Sequence, residues 1–110
     1  MITVTMLRTG GGIEGFTCAG HADYDESGRD IVCSAVSALT QTCILGLTDV
    51  IGVKAGVSMD ETDGIVCILD RDAPKERKKE AELLFRTLEA GLRSIRQAYP
   101  KNLKIIDREV

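Results

Sequence analysis

Basic charge, histidines, closely spaced cysteines and long hydrophobic segments are all scarce in this 110-residue sequence. The 14 basic and 17 acidic residues give a net charge of −3, and the sequence pI is about 5.1. Because a surface that binds polyphosphates is normally strongly basic, this charge balance speaks against direct nucleic-acid binding.

Hydrophobic segments long enough to cross a membrane are not evident, since we find no run of about 20 apolar residues. Residues 1–8 also lack the apolar stretch of a signal peptide. We therefore expect a cytoplasmic protein with no membrane partner.

The four cysteines are Cys18, Cys33, Cys43 and Cys67. No two of them have the two-residue gap of a zinc knuckle or a thioredoxin-like motif. We expect neither a structural metal nor a disulfide scaffold, and the sequence indicates no cofactor.

Hydrophobic periodicity predicts one domain over residues 1–110, with elements in the order ββαββαβ. Strands are predicted at 2–7, 13–19, 53–59, 65–69 and 103–106, with Gly10 to Gly12 as a hairpin turn rather than a phosphate loop. Helices are predicted at 31–50 and between Pro74 and Pro100. The economical arrangement is a two-layer α+β fold, in which both helices pack on one face of a mostly antiparallel sheet.

The first predicted helix carries more apolar residues than one stripe requires. Ile44, Leu45 and Ile51 lie off its main apolar face and need a cover. We therefore expect a homodimer in which this helix is central or lies at the subunit interface.

Residues with catalytic potential flank a polar loop, with His21 at the end of a strand and Cys33 near the start of a helix. If Asp30 is the N-cap residue, Cys33 lies in the first helical turn, where the helix dipole favours a thiolate. His21 could take the thiol proton as general base. We identify no third residue that must orient His21, so the pair is interpreted as a dyad.

Neighbouring groups could support such a site. Backbone N–H groups around Cys33 and Ser34 could stabilise an oxyanion. Ser37, one turn after Cys33, could position the site or contact substrate, or its hydroxyl could bond to its own helix. A structural role for His21 and Cys33 remains open at this point, and it is favoured for Cys18, Cys43 and Cys67, which lie in apolar segments.

The segments Gly20-His21-Ala22 and Asp30-Ile31-Val32-Cys33, followed by Ser34 to Leu39, resemble the ribosomal-processing cysteine protease family, Prp. The resemblance covers the whole chain in length and element order. It implies a homodimeric bacterial cytosolic protease that removes a short N-terminal extension from large-ribosomal-subunit protein twenty-seven. It also implies that Cys33 is the nucleophile and His21 the base. Gly20, Asp30, Ser34 and Ser37 are then candidates for site support or substrate contact.

The loop of residues 22–29 differs from the family's glycine-rich pattern, because it contains Asp23, Asp25 and Glu26. We expect this loop to act as a lid over a peptide groove. Two other functions remain open from the residues alone: a non-catalytic ribosome-assembly or RNA-associated factor, and a peroxide or disulfide reductase. A reductase usually needs a resolving cysteine, and the nearest candidates here are predicted to be buried.

Overall fold

The computed structural model describes residues 1–20, 29–60 and 64–110. The elements in these ranges are β1 (Ile2–Thr9), β2 (Gly12–Ala19), α1 (Arg29–Leu45), a π-helical turn (Gly46–Val50), β3 (Ala55–Asp60), β4 (Gly64–Leu69), α2 (Lys75–Ala98) and β5 (Leu103–Glu109). The predicted α+β class and the order of strands and helices are confirmed.

The five strands form one sheet in the order β3-β4-β2-β1-β5. Three neighbouring pairs are antiparallel, namely β1 with β2, β2 with β4, and β3 with β4. The last strand, β5, runs parallel to β1. The sheet is therefore mixed but mostly antiparallel, and α2 carries the chain across it from β4 to the far edge.

The core lies between one face of the sheet and the two helices. Phe16 of β2 and Phe85 of α2 are both fully buried, and their rings meet edge to face with centroids 6.3 Å apart. Helix α2 buries a stripe of residues spaced three and four apart, which are Ala81, Phe85, Leu88 and Leu92. Its other side carries Lys, Glu and Arg side chains, as the amphipathic pattern predicts.

Helix α1 packs on the same core through one face. Val32, Val36 and Leu47 are at most 2% exposed, and the wholly buried Thr40 donates its hydroxyl to the Val36 carbonyl oxygen at 2.9 Å. The sequence prediction that no segment is long and apolar enough to span a membrane is wrong for residues Ile31–Val50, whose mean hydropathy is 1.7. The core helix of a soluble protein can pass the same test, and 33% of this window is buried here.

Two details of α1 differ from the sequence-based expectation. The helix begins at Arg29, so Asp30 is its second residue rather than its N-cap, and it ends in a π-helical turn closed by the Ile51 N–H and the Gly46 carbonyl oxygen.

Of the three residues predicted to need an external cover, Ile44 is buried and Ile51 half-buried within the chain. Only the third, Leu45, is 54% exposed.

The backbone approaches itself very closely where β2 ends and β4 begins. Gly64 has a φ of +83°, and a Cβ atom there would lie 1.9 Å from the Cys18 carbonyl oxygen. Gly20 has a φ of +108°, and its Cβ would lie 2.4 Å from the Met1 carbonyl oxygen. Only glycine allows both the left-handed conformation and these approaches.

Replacing Gly64 with alanine should therefore destabilise the fold far more than the same change at Gly11. Gly11 has a similar φ of +88°, but a Cβ there meets nothing within 4 Å. We expect about 1–2 kcal/mol for Gly11→Ala from the left-handed backbone alone, and roughly 4 kcal/mol or more for Gly64→Ala. Urea unfolding of both variants measures the difference, and equal midpoints would show that the β2–β4 contact is not a steric constraint.

Candidate active site

Cys33 lies at the border of the hydrophobic core. Its neighbours Val32 and Val36 are 1% and 2% exposed, which fixes the rotation of α1 about its axis. Cys33 is consequently half-buried and packs against the edge of the core, whereas Ile31 is 61% exposed. The thiol therefore combines a fixed position with access to solvent.

The end of β2 lies beside this thiol. Cys18 is half-buried on the helix-facing side of the sheet, and burial together with the nearby Cys33 raises the pKa of Cys18 to about 11. One residue after the end of β2, Gly20 makes its close approach to Met1. The structure thus brings the end of β2 near the start of α1, the two elements that flank the predicted catalytic loop.

The remaining two thiols lie deeper in the core. Burial, and secondarily Cys67, raises the pKa of Cys43 to about 12, and burial raises that of Cys67 to about 11. Cys43 also lies 3.8 Å from the Leu84 carbonyl oxygen. Cys18, Cys43 and Cys67 are therefore protonated at neutral pH, which agrees with the structural role favoured for them.

The start of α1 offers less electrostatic help than the sequence suggested. With Arg29 as the first helical residue, Cys33 is the fifth. In an α-helix the N–H groups of Cys33 and Ser34 point to the carbonyls four residues earlier, so they are not the unpaired donors expected for an oxyanion. The helix dipole also weakens beyond the first turn. A catalytic role for this thiol would then depend mainly on a nearby base.

Ser34 is exposed and Ser37 is half-buried one turn after Cys33. The Ser37 hydroxyl accepts a hydrogen bond of 2.7 Å from the side-chain amide of Gln41, so it is paired within its own helix. His21 and residues 22–28 of the predicted lid lie outside the described residues, as do the side chains of Arg29 and Asp30. Among the described residues, no three His, Cys, Asp or Glu side chains are grouped closely enough to hold a metal ion.

A groove that the sequence did not predict is lined in part by Ser37 and Gln41. It has a volume of about 360 Å³, and its lining residues are Ser37, Gln41, Met59, Asp60, Gly64 and Ile65. Alternation along β3 predicted Met59 as one of its apolar residues, but β3 is an edge strand and Met59 is 56% exposed. Only the order of the strands in the sheet indicates this groove, and the local residue pattern does not encode that order.

Comparison with known proteins defines the class of this site. Residues 1–104 match the family model described as cysteine protease Prp. The ribosomal processing cysteine protease Prp of Staphylococcus aureus is 30% identical over 109 residues, which cover 96% of this chain and 97% of that protein.

Solved structures agree with this match. A crystal structure of the S. aureus ribosomal processing protease Prp with a substrate peptide superposes with a TM-score of 0.83 at 25% identity, covering 98% of this chain and 100% of that one. A second, with a covalently linked product peptide, gives a TM-score of 0.80 at 26% identity with the same coverage.

The molecule is a cysteine protease. More particularly, the chain belongs to the Prp family, which favours an enzyme over the non-catalytic factor and the reductase considered above.

The burial of three thiols predicts selective chemical labelling. At pH 7.5 iodoacetamide should modify Cys33 first, because thiols with a pKa of about 11 to 12 remain protonated and react appreciably only as the pH approaches those values. Peptide mapping by mass spectrometry measures each rate, and guanidinium-unfolded protein, in which all four should react, is the control. Labelling of Cys18 or Cys67 as fast as Cys33 in the folded protein would contradict the assignment.

Proposed function

We propose that the protein cleaves a peptide bond with Cys33 as nucleophile and His21 as general base, in a dyad without a third catalytic residue. The observation that carries this proposal is the position of Cys33. Of the four cysteines, all of which lie in the described residues, it is the one at the helix start next to the predicted histidine loop, while burial raises the pKa of the other three.

In the first half of the reaction, the His21 imidazole takes the proton from the Cys33 thiol. The thiolate attacks the carbonyl carbon of the scissile bond and forms a tetrahedral oxyanion. The C–N bond then breaks, and the imidazolium gives its proton to the leaving amine. The product at this stage is a thioester between Cys33 and the acyl part of the peptide.

In the second half, His21 takes a proton from water, whose oxygen attacks the thioester carbonyl. The C–S bond breaks, the imidazolium returns a proton to the Cys33 sulfur, and a carboxylic acid product leaves. The covalently linked product peptide in the S. aureus relative supports a covalent intermediate of this kind.

The substrate that we propose is the N-terminal segment of large-ribosomal-subunit protein twenty-seven, from which a short extension is removed in the cytoplasm. The support is the ribosomal processing role in the name of the S. aureus relative and the substrate peptide in its crystal structure. Gly20, Asp30, Ser34 and Ser37 are proposed to support the site or contact this peptide. Gly20 is the best supported of them, because its conformation fixes how the chain leaves β2 towards His21.

Replacement of Cys33 or His21 should abolish cleavage without unfolding the protein. Cys33→Ala and His21→Ala should each retain less than about 1% of kcat/KM, and the double variant should lose no more than either alone, because the two groups act as one unit. Cys33→Ser should also be nearly inactive, since a hydroxyl is much harder to ionise than a thiol.

The assay follows a tagged N-terminal segment of the ribosomal protein by mass spectrometry. Thr87→Ala is the control, because Thr87 is exposed on α2 and has no assigned role. More than a few per cent of activity in Cys33→Ala, with Thr87→Ala unchanged, would refute the mechanism.

We also propose that the chain is a homodimer that buries the exposed face of α1. Ile31 and Leu45 on this face are 61% and 54% exposed, and residues 31–48 contain no charged side chain. An uncharged face with large exposed apolar residues favours association with another surface of the same kind.

Light scattering at micromolar concentration should give twice the 11.9 kDa chain mass. Leu45→Arg should give the monomer mass, because it would place a charge in the interface. Leu83→Arg is the matched control, since Leu83 is 66% exposed on the charged helix α2. A mass near 12 kDa for the unmodified protein would contradict the dimer.

A further inference from the structure

The groove beside α1 begins one helical turn after Cys33, at Ser37. In the sheet, Met59 of β3 is paired with Ile65 of β4, and Ile65 is paired with Cys18 of β2. Directly paired residues point to the same face, so these three side chains form a row across the sheet. The row runs from the groove at the β3 edge to Cys18, which lies next to Cys33.

The distance from the nucleophile to the groove matches a short length of extended peptide. Ser37, on the groove wall, follows Cys33 by one helical turn, or about 6 Å along the axis. An extended peptide advances about 3.3 Å per residue, with side chains alternating between two sides. A peptide held at Cys33 would therefore place a side chain in the groove no more than two residues from the scissile bond.

The lining of the groove selects an apolar side chain. Met59 and Ile65 form an apolar floor, and methionine adapts readily to side chains of different shape. The opposite wall consists of Ser37 and Gln41, which are uncharged and hydrogen-bonded to each other. Among the lining residues that the structure describes, Asp60 is the one that carries a charge.

We propose that this groove is a specificity subsite for an apolar side chain of the peptide substrate, and that Met59 is its specificity-determining residue. The proposal rests on the peptidase function proposed above. Met59 is not a catalytic residue, because its role is to select which peptides bind productively at Cys33.

A library of synthetic decapeptides, randomised around the cleavage site of the unmodified enzyme, tests the assignment. Products are quantified by mass spectrometry for the unmodified enzyme, Met59→Ala and Met59→Glu. Val57→Glu is the matched control, because Val57 lies two residues earlier on the same face of β3, is 39% exposed and does not line the groove. Circular dichroism and the rate of Cys33 alkylation check that each variant keeps the fold.

The unmodified enzyme should prefer apolar residues at one position within two residues of the scissile bond. Met59→Ala should weaken that preference, and Met59→Glu should change it to Lys or Arg, by about ten-fold relative to the unmodified enzyme, with other positions unaffected. Val57→Glu should keep the original preference.

An unchanged profile in folded Met59→Glu, or the same change in Val57→Glu, would overturn the subsite while leaving the peptidase function in place. If the unmodified enzyme cleaves no peptide, or cleaves without needing Cys33, the proposed function fails and the subsite fails with it.

Discussion

The packing of one face of α1 against the sheet is the constraint on which the site depends. Val32 and Val36 are inserted in the core, and this sets the helix rotation so that Cys33 lies at the core boundary. A rotation of one residue position, about 100°, would bury the thiol or expose it fully. Burial raises the pKa of the other three thiols, so the same packing that stabilises the fold also keeps those three protonated at neutral pH.

The order and type of the elements could be predicted from sequence because each amphipathic pattern reports which face of one element is buried. The alternation in Ile2 to Leu7 and the three-to-four spacing in α2 are local signals of this kind. The pairing of β1 with β5 in parallel orientation is a relation between distant segments, and no local pattern encodes it. The membrane-like composition of residues 31–50 was underestimated, because polar residues such as Ser37, Gln41 and the buried Thr40 interrupt its apolar runs.

The candidate site likewise has features that the local sequence predicts and features that it does not. The residues around Cys33 and its position near a helix start predict it as the nucleophile, and the structure places it beside the end of β2. The capping role of Asp30 was wrong, because helix boundaries depend on how the preceding loop enters the first turn. The groove at Met59 could not be predicted, since an alternating strand looks the same in the middle of a sheet and at its edge. Only the sheet order shows that the helices leave this side chain uncovered.

The parallel pairing of β1 with β5 has a consequence for when the site can form. The Ile2 N–H donates to the Asn102 carbonyl oxygen at 3.0 Å, and the carbonyl of the preceding residue, Met1, is the atom that confines Gly20. Asn102, which is synthesised late, therefore anchors the first strand at Ile2. The adjacent Met1 carbonyl in turn confines Gly20, where the chain leaves β2. During translation this anchor is missing until the segment around Asn102 has left the ribosome, because long-range pairing cannot precede its partner strand. The backbone geometry at the end of β2 thus depends on the segment around Asn102, which is synthesised long after β2 itself.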